Sequence, residues 1–138
     1  GDILVCVRNG SRNLIGKSAF ITDKAVGQTH GAFMTLFRGK YPEFVYQLFQ
    51  SSQFYKQVNM NLGATINSIN TSDLHLFKFK IPHDVAEIKK IASVLTAADQ
   101  ESRDAGMGGR HGGNRENQAT ARSRMVSRAR PVSRLISR

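Results

Sequence analysis

Residues 63–82 read GATINSINTSDLHLFKFKIP, and the fold turns on how this stretch is taken. Its second half alternates: Phe77, Lys78, Phe79, Lys80, Ile81, with Pro82 as the stop. A period of two predicts a strand with one buried and one wet face. Phe77, Phe79 and Ile81 would face a core, leaving Lys78 and Lys80 together outside. The first half is a small-residue opening, Gly63-Ala64-Thr65, followed by the short polar side chains Asn67, Ser68, Asn70, Thr71 and Ser72. Residues 71–74 fit one helical turn. A polar loop beside a basic strand suits a polyanion, although lysines on a strand also guard a sheet edge against aggregation.

Upstream of this stretch the period is different. Phe44, Val45, Leu48, Phe49, Tyr55, Val58 and Leu62 recur at spacings of three, four and seven, which predicts one amphipathic helix over residues 42–60. Pro42 suits the first helical turn, Glu43 the positive helix end, and Gly63 a C-terminal cap. Earlier still, residues 3–7, 18–21 and 32–37 are short runs rich in β-formers and predict three strands. Asn9-Gly10 marks the first turn, since both residues tolerate positive φ. Residues 26–31 form a loop carrying Gln28 and His30.

Downstream, Asp84 fits an N-cap with Glu87 three residues on. Val85, Ile88, Ile91, Ala92 and Leu95 make a narrow stripe of the coiled-coil kind. At residue 101 the composition changes. Residues 1–100 hold eight lysines and three arginines, whereas 101–138 hold nine arginines and no lysine. Five glycines between 106 and 113 argue against continued helix, and the few apolar residues beyond cannot build a core. The expected fold is therefore α+β: a small mixed or antiparallel sheet, one long packed helix, the start of a coiled-coil spacer helix, and a disordered tail. The expected division is 1–82, 83–100 and 101–138. An Arg/Gly-rich tail that interrupts a helix in mid-pattern also fits translation in a shifted frame.

A chain of 138 residues has room for one domain with a modest core. Its formal net charge of +10 points to an anionic partner. The tail carries most of that excess. The single cysteine, Cys6, rules out an internal disulfide and reads as a small buried hydrophobe. No apolar run approaches the ~20 residues that span a bilayer, and no leader is visible, so a cytoplasmic protein away from membranes is expected. The start on Gly1, almost directly in a strand, suggests a fragment.

Catalytic patterns do not assemble. Residues 11–18, SRNLIGKS, approach a phosphate-binding loop. However, Ser11 replaces the first glycine, and the residues that follow are too short and β-like for the required helix. The acids are scattered, and His30, His75, His83 and His111 share no metal-ligand spacing. No Pro-Pro dipeptide marks a base-methyltransferase loop. The reading is therefore no catalytic residue, no metal and no cofactor. What remains is binding, through Arg8, Asn9, Arg12 and Lys17 in one loop and Thr65, Asn67, Ser68 and Asn70 in another. Lys78 would support a phosphate. Arginine and asparagine read base edges, whereas lysine, serine and backbone amides mostly hold phosphates. Turns also recruit asparagine, glycine and serine for their own geometry.

Four segments together resemble the target recognition domain of type I restriction–modification specificity subunits. Residues 1–8 with Ile15-Gly16-Lys17 resemble its "GDIL…R…IGK" segment. Residues 41–60 are similar to its "YLYYYLQS" helix, and residues 63–69 to its "G(S/A)T…I" loop. Residues 74–82 with 87–95 and Asp99 resemble its "L…IPLPP..EQ..IA.IL...D" close. The resemblance covers about residues 1–100 and matches the C-terminal half of one domain. It implies a non-catalytic subunit that reads double-stranded DNA. Partner methylation and restriction subunits would supply the chemistry, and the helix after Asp84 would begin an inter-domain spacer. His83-Asp84-Val85-Ala86 departs from the family's proline-rich elbow. Two alternatives stand beside this reading: a non-specific nucleic-acid binder acting through the arginine-rich tail, and a P-loop-like nucleotide-binding fragment.

Overall fold

The computed structural model describes residues 1–62 and 67–106. Three strands, β1 (Ile3–Cys6), β2 (Ser18–Phe20) and β3 (Met34–Phe37), form a sheet in the order β2-β1-β3. Both pairings are antiparallel, with Val5 opposite Ser18 on one side and Thr35 on the other. The sheet is thus antiparallel rather than mixed. Ile3 and Val5 point into the core, while the helices cover that face.

The expected long helix is two helices. α1 spans Pro42–Phe49 and α2 spans Ser52–Asn61. The break is written in Ser51, whose Oγ accepts from the Phe54 amide at 3.3 Å and donates to the Leu48 carbonyl at 2.6 Å. Ser51 thereby closes α1 and N-caps α2 with one fully buried hydroxyl. A serine side chain that satisfies the backbone locally competes with helix continuation, and apolar spacing carries no record of that competition. The apolar stripe nevertheless faces the core as expected. Phe54 lies at its centre, stacked on Phe49 at 4.7 Å and edge-on to Phe77 at 5.9 Å.

The expected strand at 77–81 is not a strand. It is an extended segment without a ladder, laid along α2. The alternation is obeyed: Phe77 and Ile81 are buried, Phe79 is half-buried, and Lys78 and Lys80 are exposed. The backbone partner is a side chain. Gln57 accepts from the Lys78 amide at 2.9 Å and donates to the Lys78 carbonyl at 3.0 Å. A primary amide presents one donor and one acceptor, so it replaces a neighbouring strand at a single residue. Just before this segment, α3 (Thr71–Leu74) supplies the expected helical turn.

α4 spans Val85–Gly106 and starts where Asp84 accepts from the Ala86 amide at 3.1 Å. Ile88, Ala92 and Leu95 are buried, and α4 packs on α1. Gln47 of α1 is buried in that contact and donates to Asp99 at 3.1 Å. The helix continues past the compositional change at Glu101, because Glu101, Arg103, Asp104 and Ala105 precede the glycine cluster. Of the span 101–138 expected to be disordered, residues 101–106 are instead the last turns of α4, while residues 107–138 and Gly63, the expected cap, lie outside the described residues.

Candidate nucleic-acid interface

Because β1 is antiparallel to both neighbours, its C-terminal end meets the N-terminal ends of β2 and β3. Arg8 and Asn9 leave β1 at that end, Lys17 enters β2 there, and Phe33 precedes β3 there. The opposite end holds Asp2 and Arg38, joined by an ion pair in which Arg38 Nε donates at 2.8 Å. The Arg38 guanidinium holds the Asp2 carboxyl below its usual range.

The second predicted loop comes to the same end. Arg8 pairs with Ser68 in an isolated antiparallel bridge. The Ile69 amide donates to the Val7 carbonyl at 2.9 Å, and the Asn9 amide to the Asn67 carbonyl at 3.2 Å. Asn67 Nδ2 adds a bond to the Gly10 carbonyl at 3.0 Å. Residues 67–69 therefore continue the sheet beside β1 beyond the start of β3. Arg8, Asn9, Asn67 and Ser68 form one stitched unit. Arg12 and Lys17 are exposed on the same loop as Arg8, and exposed Asn70 follows the stitched segment directly. Thr65 lies outside the described residues. Lys78 belongs elsewhere, exposed on the segment that Gln57 clamps to α2.

Two asparagines are partly committed within the fold. Asn9 Oδ1 accepts from the Ser11 amide at 2.9 Å, an Asx turn that tightens Asn9-Gly10-Ser11. Asn67 uses its Nδ2 on Gly10, as above. Each bond fixes the orientation of its amide, and the second lone pair of Asn9 Oδ1 and the second hydrogen of Asn67 Nδ2 stay available in the orientation that the loop sets. Sequence reasoning saw the right residue type but not this prior use.

The base of the Arg8–Lys17 loop is anchored. Ile15 is buried, and Gly16 adopts φ +82 where a Cβ would meet Val58 Cγ2 at 3.0 Å. Only glycine fits that backbone against that wall. The Gly16 amide donates to the Cys6 carbonyl at 2.8 Å, and Lys17 leads into β2 rather than a helix. The Gly16-Lys17-Ser18 sequence is thus the second arm of a β-hairpin. It lacks the helix N-terminus that a phosphate-binding loop requires.

The loop that leaves β1 carries charge of one sign. From Ile3 to Thr22 there is no acid, and Arg8, Arg12 and Lys17 all lie in that span. An apolar cleft of about 70 Å³ between β3 and α3 holds none of the candidate residues. No group of three metal-ligating side chains occurs among the described residues.

A cationic, polar sheet end of this kind suits a polyanion. The model of the type I restriction modification DNA specificity domain matches residues 1–104. This chain belongs to that family. The match takes in the whole sheet, α1 to α3 and nearly all of α4, so the specificity domain accounts for everything described up to Asp104. No curated protein and no solved structure matched the chain. No helix among the described residues of this specificity domain is long and apolar enough to cross a membrane.

Proposed function

We propose that this chain reads the sequence of double-stranded DNA as part of the specificity subunit of a type I restriction–modification complex. One observation carries the reading: two separate segments, 8–17 with its three cations and the polar 67–70, converge on one end of the sheet in a chain of the specificity-domain family. Arg8 and Arg12 are the base-edge readers, each able to present a guanidinium fork to guanine O6 and N7. Lys17, Ser68, Asn70 and Lys78 hold phosphates. Asn9 and Asn67 set the shape of the loop and offer the remaining half of each amide. Thr65, two residues before Asn67 in the sequence, is a further candidate contact.

The protein contributes recognition rather than catalysis. Methylation and restriction subunits act on the site that it selects, within the cytoplasm where the DNA is. Residues 1–82 form the recognition body, and α4 begins a spacer toward the rest of the complex.

A second reading is favoured by the charge count: residues 101–138 carry nine arginines against three acids. Such a segment binds any polyanion, with affinity that falls steeply with salt. Selection from a randomised duplex library separates the two. The full chain should enrich a short motif at near-physiological salt. Arg8→Ala should relax that motif at one position, a loss of about 1–3 kcal/mol. Unselective binding that disappears as salt rises, identical in both proteins, would refute sequence reading and assign binding to 101–138.

A further inference from the structure

The sequence pattern gave no role to Phe33, which precedes β3 and extends the register to face Val7. That register puts it on the core side with Thr35 and Phe37. Phe37 meets Phe49 edge-on at 5.6 Å, yet Phe33 lies beyond the helices and is 55% exposed. No ring pair among the described residues includes it.

Its backbone is held unusually firmly for an exposed aromatic. The Phe33 carbonyl accepts from two consecutive amides, Val7 at 2.9 Å and Arg8 at 3.2 Å. Two neighbouring donors on one acceptor are the signature of a β-bulge, which bends a strand and re-aims the side chain that follows. Here the re-aimed residue is Arg8. On its other side, Phe33 sits in a turn closed by the Met34 amide on the Gly31 carbonyl at 3.1 Å. The same bulge therefore joins the backbone that carries a cation directly to the backbone that carries an aromatic ring. Single exposed apolar residues are common and need no explanation. One whose carbonyl accepts from the amide of a neighbouring arginine, beside a loop that carries two further cations, has a defined setting.

We propose that Phe33 is a specificity-determining residue, packing against the 5-methyl group of a thymine in the major groove. This rests on the DNA-reading function proposed above. The charge of the surrounding surface selects the occupant, because Arg8, Arg12 and Lys17 bring phosphates to this end. The major groove then presents two features that suit the pair: guanine O6 and N7 to Arg8, and the only methyl group of unmodified DNA to Phe33. The bulge couples their spacing, so the pair would read neighbouring base pairs rather than independent ones.

The test uses the full chain, its Phe33→Ala and Phe33→Leu variants, and a duplex bearing the motif that the wild-type protein enriches. Thymines in that duplex are replaced singly by deoxyuridine, which removes one methyl group and nothing else. The wild type should bind one substituted duplex about fourfold more weakly, the value of one buried methyl-sized group. Phe33→Ala should bind that duplex and the parent equally, and Phe33→Leu should restore part of the discrimination. If Phe33→Ala weakens all duplexes alike, the ring acts as a wedge or support, and the methyl contact is overturned. It is equally overturned if the wild type ignores every deoxyuridine. Failure of the wild type to enrich any motif would overturn the DNA-reading function and this contact together. A motif without deoxyuridine sensitivity would overturn this contact alone.

Discussion

Replacing Gln57 tests whether one side chain takes the place of a sheet neighbour. Its amide makes two bonds to Lys78, accepting at 2.9 Å and donating at 3.0 Å. Each such bond is worth about 0.5–1.5 kcal/mol net, and these lie toward the low end because water can reach them. Gln57→Ala should therefore destabilise the protein by about 1–2 kcal/mol in urea unfolding. Gln57→Glu is the sharper variant. Its carboxylate still accepts from the Lys78 amide but turns a lone pair against the Lys78 carbonyl. A protonated carboxyl restores both bonds, since its hydroxyl donates where the amide did. The folded state thus favours the protonated form and raises the pKa of the introduced group above its unfolded value, about 4.3. Its contribution is fully present below that value and is lost as pH rises through the folded one. Measured against wild type, Gln57→Glu should be near-neutral at pH 4 and destabilised at pH 7. Equal stability of all three proteins at both pH values would refute the clamp, leaving the apolar packing of Phe77, Phe79 and Ile81 to restrain this segment.

Ser51→Ala removes a cap shared by two helices, and a loss of about 1–2 kcal/mol in thermal or urea unfolding is expected; an unchanged midpoint would mean that α1 and α2 can fuse. Asp2 should titrate below the ordinary carboxylate range by NMR and return to it in Arg38→Ala. The stabilisation from this pair is present above the ordinary carboxylate pKa and fades as pH falls through the lowered one. It should weaken with added salt, as an exposed pair does.

The sequence and the structure agree on facing more closely than on hydrogen bonding. Alternation in Phe77, Phe79 and Ile81 correctly told which side chains face the core, because burial follows apolar pattern. It could not tell that a glutamine twenty-one residues earlier would satisfy the backbone, because that depends on where α2 passes. The stripe from Phe44 to Val58 located the helical core equally well. The interruption rests on one hydroxyl, Ser51, whose competing bonds leave no mark in the spacing. At the candidate interface, the basic and polar residue types were legible, as was the turn at Asn9-Gly10. Three things required three dimensions. These were the convergence of Arg8 with Ser68, the prior commitment of Asn9 and Asn67, and the exposure of Phe33 at a position that alternation would bury.

α4 has a mechanical consequence. Its 22 residues make a rod about 33 Å long, and its buried apolar contacts end at Leu95. Residues 100–105 are exposed, so the rod is clamped at one end like a cantilever. About 16 Å of the rod lies beyond Leu95, so a tilt of about 10° at the clamp would carry the far end by roughly 3 Å. The outermost fastening at the root is Gln47 with Thr96 and Asp99. A small change in that polar contact, which involves none of the proposed DNA contacts, would therefore be magnified at whatever the far end carries.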